Sequence, residues 1–139
     1  MDGTEPSDTS APSISLLTLW TPEYYVENIP PEAWPKMLAE SRQSSANINP
    51  YDYLAQLRAM TGHDAYADFA GEEKAYPDRV TAELLVIGNS QDLLVNAVPG
   101  KEFAEAVGAR YVGIASNCGH VWMGCETARA VAVVHEFLE

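Results

Sequence analysis

A chain of 139 residues has the length of one domain, and 47% apolar residues are enough to build a core. Its 20 acidic against 8 basic residues leave a formal charge of -12, which repels phosphate backbones and anionic headgroups, so neither nucleic acid nor a membrane is an expected partner. Two cysteines without zinc-finger spacing, no signal-like amino end and no apolar run near roughly 20 residues point to reduced thiols and a soluble, cytoplasmic protein.

Residues 1–13 are rich in Ser, Thr, Pro, Asp and Gly, a composition that cannot offset its own ordering entropy, and they are expected to form a disordered lead. Residues 14–75 read as a helical region. Pro22, Pro30, Pro31, Pro35 and Pro50 cut it into short helices, since each removes a donor and restrains the residue before it. The clearest helix is Pro50 to Met60, with Asn49 as N-cap and Pro50 at the first helical position. Tyr53, Leu54, Leu57 and Met60 recur at helical spacing, so this helix is expected to pack by that face.

From residue 76 to 139 the period changes. Glu83 to Gly88 is a continuous apolar run closed by turn residues, which suits a strand covered on both faces. Val98 to Val107 places Val98, Phe103, Ala106 and Val107 on one stripe, and Gly108 ends that helix. Arg110 to Ala115 is a second short strand. Thr127 to Leu138 is a second amphipathic helix, with Ala130, Val131, Val134, Phe137 and Leu138 inward. The order β-α-β-α predicts an α/β fold with parallel strands and helices on the faces of the sheet. A lone pair of strands leaves an edge open, so self-association or a missing segment is expected to complete it.

Catalytic groups in parallel sheets collect beyond the carboxyl ends of strands, where Asp92 and His120 both fall. An acid that orients an imidazole, which in turn moves the proton of a nucleophile, is the chemistry such a pair can perform. The plainer alternative is an Asp bonding the amides of its own turn and a His that merely follows a loop glycine. Trp20, Tyr24, Tyr25 and Trp34 read either as core packing between short helices or as an apolar wall for an acyl substrate, and Trp122 and Met123 carry the same two readings. Ser90 reads as part of the acid turn, Cys118 as a small inert hydrophobe, and His135 as a packing residue on the last helix. His63 and Asp64 are too few ligands for a metal, and neither a metal nor a cofactor is expected.

From about Asn49 onward, the helix Asn49-Pro50-Tyr51-Asp52-Tyr53-Leu54, the acid turn Ser90-Gln91-Asp92, the helix Glu102-Phe103-Ala104 and the segment Ser116-Asn117-Cys118-Gly119-His120 carry a likeness. Here the chain resembles the carboxyl-terminal part of the α/β-hydrolase superfamily, within it the homoserine O-acetyltransferases and related hydrolases. That resemblance implies a partial α/β-hydrolase fold, with Asp92 as triad acid, His120 as triad base and residues 20–69 as a helical lid. It also implies an acyl ester or acyl-CoA as substrate and serine acyl transfer or ester hydrolysis as the activity, for which Trp20, Tyr24 and Trp122 are the candidate substrate-binding residues on the apolar-wall reading. The residues after His120, Val121-Trp122-Met123-Gly124-Cys125-Glu126, depart from the acidic and leucine-rich continuation of the homoserine enzymes, so homoserine is not the expected acceptor. A G-x-S-x-G elbow is absent, and Gly88-Asn89-Ser90 lacks its closing glycine. The nucleophile is thus expected from an amino-terminal segment or separate chain, leaving these residues inactive alone. The alternative is a non-catalytic remnant acting in homo-oligomerisation or partner binding.

Overall fold

The computed structural model describes residues 10–46, 48–64 and 79–139. Helices α1 (Ser10–Leu19), α2 (Pro22–Asn28), α3 (Trp34–Ala46) and α4 (Pro50–Gly62) come first. Strand β1 (Leu85–Asn89), helix α5 (Ala97–Val107), strand β2 (Arg110–Ile114), the one-turn helix α6 (Trp122–Cys125) and α7 (Thr127–Leu138) follow. The fold is mixed α/β, mostly helical, with a small parallel sheet. Helix α1 starts at Ser10, inside the expected lead; the rest of that lead, and the helical region's border at residues 75 and 76, lie outside the described residues.

The prolines mark starts. Pro22 and Pro50 stand in the first turns of α2 and α4, capped by the side chains of Thr21 and Asn49, where a missing N–H has no helical partner to lose. Pro31 opens a single 3-10 turn, Pro31–Ala33, that leads into α3. Helix α4 forms as expected, but among the described residues nothing seals its apolar face. Tyr53, Leu54, Leu57 and Met60 are between 40% and 73% exposed. Periodicity shaped the helix without supplying a surface for it to cover.

Strands β1 and β2 pair in parallel, with Leu85 opposite Arg110 and Asn89 opposite Ile114. Among the described residues the outer edge of each is unpaired. The two-residue period of β1 sends Val86 and Gly88 toward α5, where they meet Gly100 and Ala97. Ile87 points the other way, onto a core of Ile114, Cys118, Trp122 and the α7 residue Ala130, with Trp20 and Tyr24 against it. Helices therefore cover both faces, yet Leu85 to Gly88 stay only half-buried, short of the full cover expected for that run.

The helices also bury less than their patterns predicted. Helix α5 buries Ala104, while Val98 and Ala106 are exposed; α7 buries Ala130, while Val131, Val134 and Leu138 are exposed. A two-stranded sheet is too narrow to accept a whole helical stripe, so only the smallest, closest side chains are sealed. Arg110 and Glu136 tie β2 to α7 with a 2.9 Å ion pair.

Candidate active site

Beyond the end of β1 the chain turns through Ser90 and Gln91, with the Asp92 amide donating to the Asn89 carbonyl at 3.2 Å. The turn presents the Asp92 carboxylate with its two oxygens divided in role. Oδ1 accepts the Leu94 and Val95 amides at 2.9 and 2.8 Å, which fixes the side chain. Oδ2 meets His120 Nδ1 at 3.0 Å. The carboxylate thus bonds the amides of its own turn with one oxygen and meets the imidazole with the other. Burial pulls the Asp92 carboxyl upward, but the Val95 amide, the His120 ring and the Leu94 amide outweigh it and hold the group below its ordinary value.

His120 sits beyond β2 in a loop that the rest of the molecule grips closely. Asn89, at the last position of β1 and buried, donates Nδ2 to the carbonyls of Ser116 at 3.0 Å and Gly119 at 2.7 Å. Its Oδ1 accepts the amides of Ser116 and Gln91, both at 3.1 Å. One side chain thus latches the acid turn to the base loop. From the helical region, Thr21 donates its amide and its hydroxyl to the Asn117 carbonyl at 3.1 and 2.9 Å. Gly119 lies at φ +58, and a Cβ there would come within 2.6 Å of the Leu19 carbonyl oxygen and 2.9 Å of Trp20 Cα. Only glycine permits that approach.

Asp92, His120 and Trp122 line a groove of about 770 Å³ beside β1. Val86, Leu94, Val95, Pro99, Tyr111 and Met123 make its apolar walls, and Asp92 brings a carboxylate. Among the described residues no lysine, arginine, serine, threonine or cysteine lines it, and the His120 Nε2 atom has no hydrogen-bond partner.

Trp20 and Tyr24, expected with Trp122 on the substrate wall, lie elsewhere. They stack on each other at 5.6 Å, Trp20 also meets Tyr25 edge-on, and Tyr25 stacks on Trp34 at 5.1 Å. The Tyr25 hydroxyl donates to the Leu16 carbonyl. The cluster joins α1, α2 and α3 and backs the base loop without reaching the groove. Ser90 is exposed in the acid turn, and its amide donates to the Ile114 carbonyl at 2.9 Å. His63 ends α4 as its C-cap residue, and His135 is exposed on α7. No cluster of His, Cys, Asp and Glu suited to a metal occurs among the described residues.

Cys118 and Cys125 depart from expectation. They form a disulfide, with Cα atoms 6.5 Å apart, that brackets His120 and Trp122. Neither is the free, reduced thiol expected, and Cys118 has no S–H to share with His120. Such bonds persist in oxidising surroundings, so the cysteines give no support to a reducing compartment. No helix among the described residues is long and apolar enough to cross a membrane.

Asn89 and Thr21 are the residues that sequence reasoning missed. The available signal was slight: an asparagine closing an apolar strand where a turn residue is ordinary. Nothing in the linear chain announces four hydrogen bonds, three of them to a loop some 27 to 30 residues away.

Comparison with protein-family models, with curated proteins and with solved structures found no match. The chemistry open to the site is therefore set by its geometry alone.

Proposed function

We propose that this chain carries the acid and base of a centre for serine acyl transfer or ester hydrolysis, with Asp92 orienting His120. The nucleophilic hydroxyl comes from a segment or chain outside these 139 residues that completes the sheet beside β1. The observation that carries this reading is the 3.0 Å contact from Asp92 Oδ2 to His120 Nδ1, beside an Nε2 without a partner among the described residues, on the wall of a groove.

In the proposed reaction Nε2 removes the hydroxyl proton as its oxygen attacks the acyl carbon, and Asp92 stabilises the resulting imidazolium. The proton passes to the departing alkoxide, leaving an acyl-enzyme. Water or an acceptor alcohol, deprotonated by the same nitrogen, then attacks the acyl carbon, and the proton returns to the nucleophile as the acyl group leaves. A groove with apolar walls and, among the described residues, no cationic lining favours a neutral acyl ester over an acyl-CoA, whose phosphates need basic partners.

A second reading, association without catalysis, is favoured by one observation. Leu93, Leu94, Val95 and Val98 are all about half exposed in the turn after β1 and the start of α5, an apolar patch of the kind that marks interaction surfaces.

The test combines fluorophosphonate labelling of the purified chain with hydrolysis of 4-nitrophenyl acetate. With the nucleophile outside the chain, no labelled serine is expected, and only slow cleavage of the activated ester by the His120 imidazole itself, lost in His120→Ala and weakened in Asp92→Asn. Hydrolysis indifferent to both substitutions would end the catalytic reading, and a labelled serine would place the nucleophile within the chain.

A further inference from the structure

Residues 118–125 are held unevenly. The first half is secured by polar ties: the Asn89 latch on Gly119, the Gly119 amide on the Ser116 carbonyl at 3.1 Å, and Asp92 on His120. The second half, which carries the Trp122 and Met123 wall of the groove, is a helix of a single turn, and a single turn is too short to hold itself. Its ties are the packing of Trp122, the Thr127 hydroxyl on the Met123 carbonyl at 2.6 Å, the Glu126 amide on the Trp122 carbonyl at 2.8 Å, and the disulfide. Cys118 is buried in the core beside Trp122, whereas Cys125 is exposed. The bond thus has one anchored end and one that a small thiolate can approach.

We propose that the Cys118–Cys125 disulfide is a thiol-exchange site for dithiol reductants, whose reduction frees the Trp122–Met123 wall while the Asp92–His120 couple stays in place. A dithiol thiolate attacks Sγ of Cys125, the bond between the protein sulfurs breaks, and Cys118 leaves as a thiolate that takes a proton. The second thiol of the reductant then attacks its own sulfur in the mixed disulfide, releasing Cys125, which is protonated in turn. Two electrons and two protons pass to the protein, and the dithiol becomes a cyclic disulfide. The effect on substrate rests on reading the groove as the substrate site; the exchange and the loosening of the wall do not.

The experiment uses the full oxidised chain, with and without dithiothreitol, followed by iodoacetamide mass analysis, amide hydrogen exchange and ¹⁵N spectra of the His120 ring. Expected are two alkylated cysteines only after reduction, exchange at residues 123–126 faster by roughly tenfold or more, and an unchanged His120 ring signature. Cys125→Ser, which leaves Cys118 in the core, should match the reduced protein and ignore the dithiol. Alkylation without reductant, unchanged exchange after reduction, a dithiol effect that persists in Cys125→Ser, or loss of the His120 signature together with the wall would each overturn the proposal. The catalytic reading fails separately, through an Asp92→Asn change that leaves the His120 ring unaltered in the oxidised protein.

Discussion

Asn89 donates its side-chain amide to the Gly119 carbonyl at 2.7 Å, so the last residue of β1 holds the backbone immediately before His120. The same group reaches the Ser116 carbonyl, and its carbonyl oxygen receives the Ser116 amide. Acid turn and base loop are joined through this side chain before Asp92 and His120 meet.

Replacing Asn89 by Ala leaves the buried Ser116 and Gly119 groups short of partners. A loss of about 2–4 kcal/mol is expected in urea unfolding, since each orphaned buried group costs about 1–3 kcal/mol. Asn89→Asp should do no better, because its carboxylate would face two carbonyl oxygens.

The Asp92 contact dictates which imidazole nitrogen carries the proton. With Oδ2 accepting at Nδ1, neutral His120 holds its hydrogen there and keeps Nε2 open as an acceptor. Asp92→Asn removes that preference, because its amide N–H₂ can face Nδ1 as a donor. The ¹⁵N ring shifts should move from the Nδ1–H form toward the Nε2–H form.

The same carboxylate makes stability depend on acidity. Its pKa is lower folded than unfolded, so its contribution is fully present above the ordinary carboxylate value and is lost as pH falls through the folded value. Between about pH 5 and pH 2 the urea midpoint of the native chain should fall more steeply than that of Asp92→Asn. Equal slopes would mean that the hydrogen bonds to Asp92 do not persist in solution.

Two glycines at positive φ separate strain from collision. Gly108 closes α5 at φ +68 with open space around it, so Gly108→Ala should cost about 1 kcal/mol for the left-handed conformation alone. Gly119→Ala adds backbone collisions with Leu19 and Trp20 and should cost about 3 kcal/mol or more. Paired thermal melts of the two variants read the difference directly.

On α4, Leu54→Lys and Leu57→Lys should each change stability by less than about 0.5 kcal/mol, since both side chains are exposed. A larger loss in urea unfolding would show that this face is covered in solution.

Local rules made much of this chain legible. A cap before a proline started α4, a left-handed glycine ended α5, apolar runs of strand length became β1 and β2, and the alternation of strand with helix required parallel pairing. The strand ends also placed Asp92 and His120 on the same side of the sheet, because parallel strands bring their carboxyl ends together. These outcomes depend on backbone geometry and near neighbours, which the order of residues specifies.

Which apolar faces would be buried was decided elsewhere. Periodicity marks a face as able to be covered, but cover needs an opposing surface, and two strands offer little; Leu54, Leu57, Val131 and Val134 stay exposed for that reason. Tertiary contact likewise turned Trp20 and Tyr24 into support behind the base loop, closed Cys118 onto Cys125, and made Asn89 a latch. The sequence alone determined the residue types and the strand ends at which an acid and a base would stand. Their 3.0 Å meeting required the folded chain, because hydrogen bonds between residues 28 positions apart form only where packing removes the freedom of both loops.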